Sequence, residues 1–251
     1  MSEILAEAYG DASVEIYDEL IVPGTDPHNL ELLLRFAGGG GRALELGPGT
    51  GRVAVPLASR GISVDGIESS QKMILKLRER ERLVGNSRAI EIVGNDMRTF
   101  NTPPDYDLVF VLKHTLYLAP TLSDQKDVLR NVARSLKMNG AFVFEGIVPD
   151  PSRYEDGQCV RASLVTGDTV CLEASVYNRA DQTLSSTEIF FYKGKIYLVP
   201  IRARYIWPSE LDLIASSVGL ELKERYSTWK GDTFSESSYN NISVYVKVRE
   251  N

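Results

Sequence analysis

Apolar positions along the chain follow two periods, and the change from one to the other outlines a fold. After Asp26-Pro27, which reads as an N-cap with proline in the first turn, Leu30, Leu33, Leu34 and Phe36 recur at helical spacing. Glycines 38–41 stop that helix. Short apolar runs then alternate with helical segments: strand 42–46, helix 53–59, strand 63–67, a charged helix 71–83, and strands 90–93 and 108–112. Helix 124–136 follows, then Asn139-Gly140 and strand 141–145. Strands separated by helices need crossover connections, and such crossovers are right-handed. The pattern therefore predicts an α/β fold, a doubly wound and mostly parallel Rossmann-like sheet covered on both faces. Residues 1–24 read as short helical pieces ending at Pro23-Gly24.

The period shifts beyond Pro149-Asp150-Pro151. Stretches 170–178, 183–193 and 196–205 are rich in β-branched and aromatic residues, with turns at Asn178-Arg179-Ala180-Asp181 and Lys193-Gly194-Lys195. They predict an antiparallel insertion of three strands and no helix. A helix from Pro208 through residue 218 and a closing antiparallel hairpin, 221–226 with 242–248, complete the chain. The expected organisation is one domain over 1–251, with 1–37 as an N-terminal helical lid and 150–206 as an antiparallel cap.

Composition narrows the classes of function. Of the 251 residues 43% are hydrophobic and 25% charged, a globular balance. The net charge is -6 without any Lys/Arg-rich tail, which argues against a nucleic-acid partner. Cys159 and Cys171 are too few for a disulfide framework, and no histidine stands near them at zinc spacing, so no metal is expected. No basic start with an apolar run opens the chain, and no apolar stretch reaches the roughly 20 residues of a membrane helix. A cytoplasmic monomer or homodimer with no membrane partner is the expectation.

The loop Glu45-Leu46-Gly47-Pro48-Gly49-Thr50-Gly51 joins the first strand to a helix. Glycines there let the backbone turn sharply and approach a ligand closely, although glycines also make ordinary turns. Glu68, at the end of the next strand, lies near the roughly 20-residue separation of a ribose-binding acid. The spacing is G-x-G-x-G rather than the dinucleotide G-x-G-x-x-G, and Pro48 removes an N–H that a pyrophosphate would use. Glu45 adds negative charge beside the loop, adverse for phosphate and tolerable for a sulfonium or ammonium. A cationic, phosphate-free nucleoside fits, and S-adenosylmethionine answers that description.

At these residues the chain resembles the class I S-adenosylmethionine-dependent methyltransferases, small-molecule members with a β-rich insertion. The resemblance runs from about Tyr17 to the end. It rests on the glycine loop, Gly66-Ile67-Glu68-Ser69-Ser70, Asn95-Asp96-Met97-Arg98 and Tyr106-Asp107-Leu108-Val109-Phe110-Val111. It implies that Gly47 and Gly49 meet the methionine part, that Glu68 takes the ribose hydroxyls and that Asp96 accepts from the adenine amino group. It also implies Met97 at the adenine edge and Tyr17 in the lid, with Glu45, Pro48, Ser69 and Leu112 completing the cofactor site. Asn95 stands where many relatives carry glycine. S-adenosylhomocysteine would be the product, and a small molecule the acceptor.

Asn101-Thr102-Pro103-Pro104 has the wrong order for the signature of nucleic-acid base methylation and precedes the fourth strand instead of following it. Lys113-His114-Thr115-Leu116-Tyr117 follows that strand. His114 is the candidate general base, because imidazole titrates near neutral pH. A histidine that hydrogen-bonds a loop or stacks on the cofactor is the alternative. Of 22 aromatic residues 13 lie beyond residue 150, and filling the core of the antiparallel layer is the larger share of the explanation. Tyr117, Tyr205, Trp207 and Trp229, with Tyr226 and Phe234 nearby, are candidates for an apolar substrate wall. Two rival functions stay open: cofactor-assisted cyclisation or isomerisation, and a non-catalytic cofactor-binding partner protein.

Overall fold

The computed structural model describes residues 6–24, 26–85 and 89–249. A seven-stranded sheet contains β1 (Arg42–Leu46), β2 (Ser63–Ile67), β3 (Ile90–Gly94), β4 (Tyr106–Val111), β5 (Leu136–Ile147), β10 (Leu220–Tyr226) and β11 (Asn240–Lys247). Their order is β10-β11-β5-β4-β1-β2-β3. The pairs β1–β2, β2–β3, β1–β4 and β4–β5 are parallel, and β11 pairs antiparallel with β5 and β10. The strand order reverses between β1 and β4. Ligands in such sheets bind at that switch, beyond the carboxyl ends of the strands.

Central strands are buried on both faces, so alternate residues enter two cores. Leu44, Leu46, Val109 and Val111 pack on one face with α5 (Leu122–Ser135) and α6 (Pro208–Ser217). Ala43, Leu108, Phe110 and Leu112 pack on the other with α2 (Pro27–Ala37), α3 (Ala54–Ala58) and α4 (Gln71–Leu83). Asp26 caps α2 through its bond from the His28 N–H, as its sequence foretold. Among the described residues no helix is long and apolar enough to cross a membrane.

Two expectations change. The insertion has four strands, not three: β6 (Gln158–Val165), β7 (Thr169–Asn178), β8 (Thr183–Tyr192) and β9 (Lys195–Arg204), paired in that order. β6 is an edge strand whose Arg161 and Ser163 break the apolar alternation, which hid it. The Asn139-Gly140 turn expected between helix and strand lies instead within β5, which begins at Leu136 directly after α5. Asn139 adopts φ 64°, and the register against β4 slips between Tyr106 and Leu108. A left-handed asparagine kinks the strand there without ending it.

The N-terminal segment, α1 (Ala6–Ser13) and a π-helical turn (Tyr17–Ile21), lies between the two sheets. Ile16 packs with Cys171, Phe190 and Val199 of the cap. On its other side Asp11 accepts from the Ser70 hydroxyl at 2.7 Å, and Asp18 from the Thr50 hydroxyl at 2.7 Å. The cap is tied to α5 through buried Arg204, which donates to Gln125 Oε1 (2.6 Å) and pairs with Glu210 (2.7 Å).

Candidate functional site

The carboxyl ends of β1, β2 and β3 deliver Gly47, Glu68 and Asn95-Asp96 to one cleft under the N-terminal segment. Its lining includes Tyr9, Tyr17, Gly49, Ser69, Met97 and Thr115. Gly47 has φ +77°, and a Cβ there would stand 2.7 Å from Thr115 Cγ2, so this position requires glycine.

Glu68 is buried and spans two elements. Its Oε2 accepts from the Gly49 N–H and its Oε1 from the Ser70 N–H, both at 2.9 Å. Burial raises the carboxyl above its ordinary range, and the backbone donors offset part of that rise. Each oxygen keeps further acceptor capacity on the cleft side for a vicinal diol. The Gly49 N–H is therefore spent on Glu68 and does not wait for a ligand.

A smaller cavity beneath the loop is lined by Tyr17, Glu45, Pro48, Arg52, Leu112 and Thr115, among others. Glu45 is buried and its Oε2 has no hydrogen-bond partner among the described residues. Burial pushes its pKa up to about 8; Arg52 works against the rise and Glu68 adds to it. A stranded carboxylate oxygen beside a glycine loop suits a ligand bearing an ammonium or sulfonium and opposes one bearing phosphate. Pro48 is buried against Gly66, where a Cβ would meet its Cγ at 2.8 Å. Burial pushes the Tyr17 hydroxyl up to about 12, so it stays a protonated donor.

Asp96 is engaged by Arg98, whose backbone N–H reaches Oδ1 at 2.8 Å and whose Nη2 reaches Oδ2 at 2.8 Å. Partial burial pushes this acid up, but the Arg98 bonds prevail and its pKa falls below the ordinary range. It is ionised at neutral pH, and Met97 beside it offers an apolar edge.

His114 stands one residue before the cleft's Thr115. Lys113 and His114 both adopt left-handed conformations, φ 48° and 63°. Glu145 holds this strained pair: Lys113 N–H donates to its Oε2 at 2.9 Å and His114 N–H to its carbonyl at 3.2 Å. Trp229 Nε1 donates to the other carboxylate oxygen at 3.0 Å. The His114 ring stacks near Tyr117, centroids 5.9 Å apart, and burial keeps its pKa below the ordinary value.

The aromatic candidates divide. Tyr117 donates to the Ile147 carbonyl at 2.7 Å, and Tyr205 packs in the same core with Trp207 edge-on at 6.0 Å. Tyr154, Tyr177 and Tyr205 form a continuous stack on this side, with centroids 4.9 and 5.4 Å apart. Trp229 lies against the opposite core and serves Glu145, so it does not join them. Tyr9 and Thr115 line the cleft without having been singled out. An aromatic next to Gly10 in the lid was the only signal for the first, and adjacency to His114 the only one for the second.

Comparisons with known proteins agree with this geometry. Residues 43–140 match the methyltransferase domain family. The chain is 27% identical over 202 residues to cypemycin N-terminal methyltransferase of a Streptomyces species, covering 79% of this chain and 80% of that one. It is 34% identical to the CcbJ methyltransferase from Streptomyces caelestis, with a TM-score of 0.88 and coverage of 96% and 98%. A S-adenosylmethionine-dependent methyltransferase from Clostridium acetobutylicum shares the fold, with a TM-score of 0.77 at 15% identity, over 94% and 98% of the two chains. The 34% identity to the Streptomyces caelestis enzyme over nearly the whole of both chains joins a cleft whose acids fit a cationic nucleoside, and on both grounds this chain belongs to the class I S-adenosylmethionine-dependent methyltransferases.

Proposed function

We propose that this enzyme methylates a small organic molecule, a metabolite or natural-product intermediate, by direct displacement in the space between the N-terminal lid, the loop after β4 and the cap. The observation that carries the cofactor half is Glu68, fixed between Gly49 and Ser70 with acceptor capacity toward the cleft. In this reading Glu68 takes the ribose hydroxyls, Asp96 the adenine amino group, and Met97 and Ser69 flank the base. Gly47, Gly49 and Pro48 run along the methionine part, with Glu45 facing its cationic end and Tyr17 and Leu112 closing around it.

S-adenosylmethionine, when bound, supplies a methyl group already attached to a good leaving group. The chain's own residues then align the acceptor, exclude water and take at most one proton. The neutral imidazole of His114 is the candidate for that proton, and Tyr117, Tyr205 and Trp207 for the acceptor's apolar wall. The name of one relative, cypemycin N-terminal methyltransferase, puts an amine nitrogen first among the receiving atoms to try. We further propose a cytoplasmic enzyme in which lid, sheet and cap act as one unit, with no nucleic-acid partner.

S-adenosylhomocysteine is expected to raise the melting temperature, and NAD to leave it unchanged. Glu68→Ala and Asp96→Ala should each lose about one to two orders of magnitude in cofactor affinity, since bonds to charged groups are worth roughly 1.5–3 kcal/mol. Methyl-labelled cofactor should leave its label on an acceptor. Binding without any labelled product would turn the reading toward cyclisation or a non-catalytic role.

A further inference from the structure

The cap's inner face carries a polar band that the cofactor does not account for. Phe190 and Tyr192 of β8 join Cys171, Val199 and Ile16 beneath the lid. Toward the other end of the face, Tyr177, Ile201 and Ala203 belong to the core that holds Tyr205. Between these apolar groups the register sets Glu173 opposite Glu188 and Ser175 opposite Ser186.

The two acids are treated differently. Arg161 Nη2 pairs with Glu173 at 2.6 Å, and the Ser175 hydroxyl donates to its Oε1 at 3.1 Å. Glu188 has neither an ion pair nor a hydrogen bond with any described residue. Ser186, on the same face two residues away, is 7% exposed and equally without a hydrogen bond among the described residues. Like charges directly opposite on neighbouring strands are destabilising, and the unpartnered Ser186 hydroxyl beside them is not sealed from solvent or ligand.

Among the described residues, the elements around Glu188 offer no cation to balance it. β7 presents Glu173 and Cys171, and α1 presents Tyr9, whose hydroxyl burial and the charge of Glu188 both push up. Beyond β7, Arg161 of β6 is already committed to Glu173. Tyr9 also lines the cleft together with Tyr17 and Gly49, so the charge of Glu188 is felt by a side chain of the cofactor cleft.

We propose that this band is a subsite for a protonated amine of the methyl acceptor, with Glu188 as its charge partner and Ser186 as its hydrogen-bonding neighbour; this rests on the methyl-transfer reading above. An ammonium supplies the countercharge that the chain withholds, and its several N–H donors match a carboxylate beside a serine hydroxyl. A neutral acceptor of equal shape leaves the acid unpaired and binds less well. Glu188 then acts as a specificity residue for charged acceptors.

Burial, and then Glu173, push the Glu188 pKa up to about 6. An amine that keeps its charge over this range should therefore bind more tightly as pH rises from 5 to 7.

The test uses full-length protein saturated with S-adenosylhomocysteine and a panel of probes read by calorimetry. The panel holds an aminosugar methyl glycoside, a short peptide with a free N-terminus and simple secondary amines, each beside its N-acetyl counterpart. At pH 7.5 at least one amine should bind the wild type about tenfold more tightly than its uncharged partner, and the preference should fade below pH 6. E188Q removes the repulsion with Glu173, so it should melt no lower than wild type. It should lose both the preference and its pH dependence. S186A should weaken the amine several-fold at unchanged melting temperature. Charge preference retained in E188Q would overturn the subsite, as would a wild type that retains S-adenosylhomocysteine but discriminates against no uncharged probe. A wild type that fails to bind S-adenosylhomocysteine would instead strike the methyltransferase reading itself.

Discussion

His114 and Thr115 are adjacent in the chain but face different surroundings. Thr115 abuts Gly47 and borders the cleft, whereas the His114 ring leans toward Tyr117. Burial favours neutral imidazole, so at pH 7 the ring holds one proton and one free lone pair. With the true acceptor in hand, His114→Asn should keep cofactor affinity and lower turnover by roughly 10²–10⁴, the usual contribution of a positioned base. The acid limb of the wild-type pH–rate profile should lie below the ordinary histidine value of about 6.5, because the pKa is lowered. Turnover near the native rate with the same acid limb in the variant would leave the proton to water or to the acceptor. The glycine loop and Glu68 were legible in the sequence because their conformational demands are local. The unpaired Glu45 oxygen was legible only as a negative charge beside the loop. That it lacks a partner depends on side chains from distant segments.

The N-terminal segment depends on one close approach between elements. A Cβ built on Gly10 of α1 would lie 2.7 Å from Ser70 Cβ at the start of α4, and Gly10 itself borders the cleft. Alanine in a helix is intrinsically favoured over glycine by about 1 kcal/mol, so in isolation Gly10→Ala would strengthen α1. The clash is with another segment's Cβ, which cannot swing away, and it should win. Gly10→Ala is expected to lift α1 from α4 and weaken the Ser70–Asp11 bond. S-adenosylhomocysteine affinity should fall by about tenfold while the melting transition of the sheet stays in place. Limited proteolysis should then cut within the first 24 residues faster than in wild type. Equal affinity and equal cutting would mean that α1 does not need this contact. The parallel strands and their helices were readable from periodicity because each buries a continuous apolar run. The edge strand β6 was not, since an edge strand exposes one flank and its polar residues carry no period. Nor could periodicity reveal that Trp229, expected in the substrate wall, sits on the far side of the sheet from Tyr205.

Across the whole molecule, acids with raised and lowered pKa values oppose one another as pH changes. Asp96 and Asp107 have lowered pKa values, so the stability they confer is present above the unfolded carboxylate range and is lost only in strong acid. Glu45 behaves the opposite way. Its proton is held up to about pH 8, whereas in the unfolded chain it leaves near the ordinary carboxylate value of about 4.3. Its contribution to stability is full below that value and drains away as pH rises toward 8. His114, with a lowered pKa, works against this trend below the ordinary histidine value of about 6.5, whereas Glu188, raised to about 6, adds to it. Above pH 7 both have finished, and Glu45 remains. The cofactor-free protein should therefore melt progressively lower between pH 7 and 8.5, by about 2–4 °C for each kcal/mol in a chain of this length. Glu45→Gln should flatten that slope. S-adenosylhomocysteine carries an ammonium, which favours the ionised acid, so binding at pH 7 should release a proton and affinity should grow with pH. Calorimetry in two buffers of different ionisation enthalpy reads the released proton directly. Identical heats in both buffers, with a melting temperature that does not change from pH 7 to 8.5, would show that Glu45 is already ionised in the free enzyme and has a partner on the protein itself.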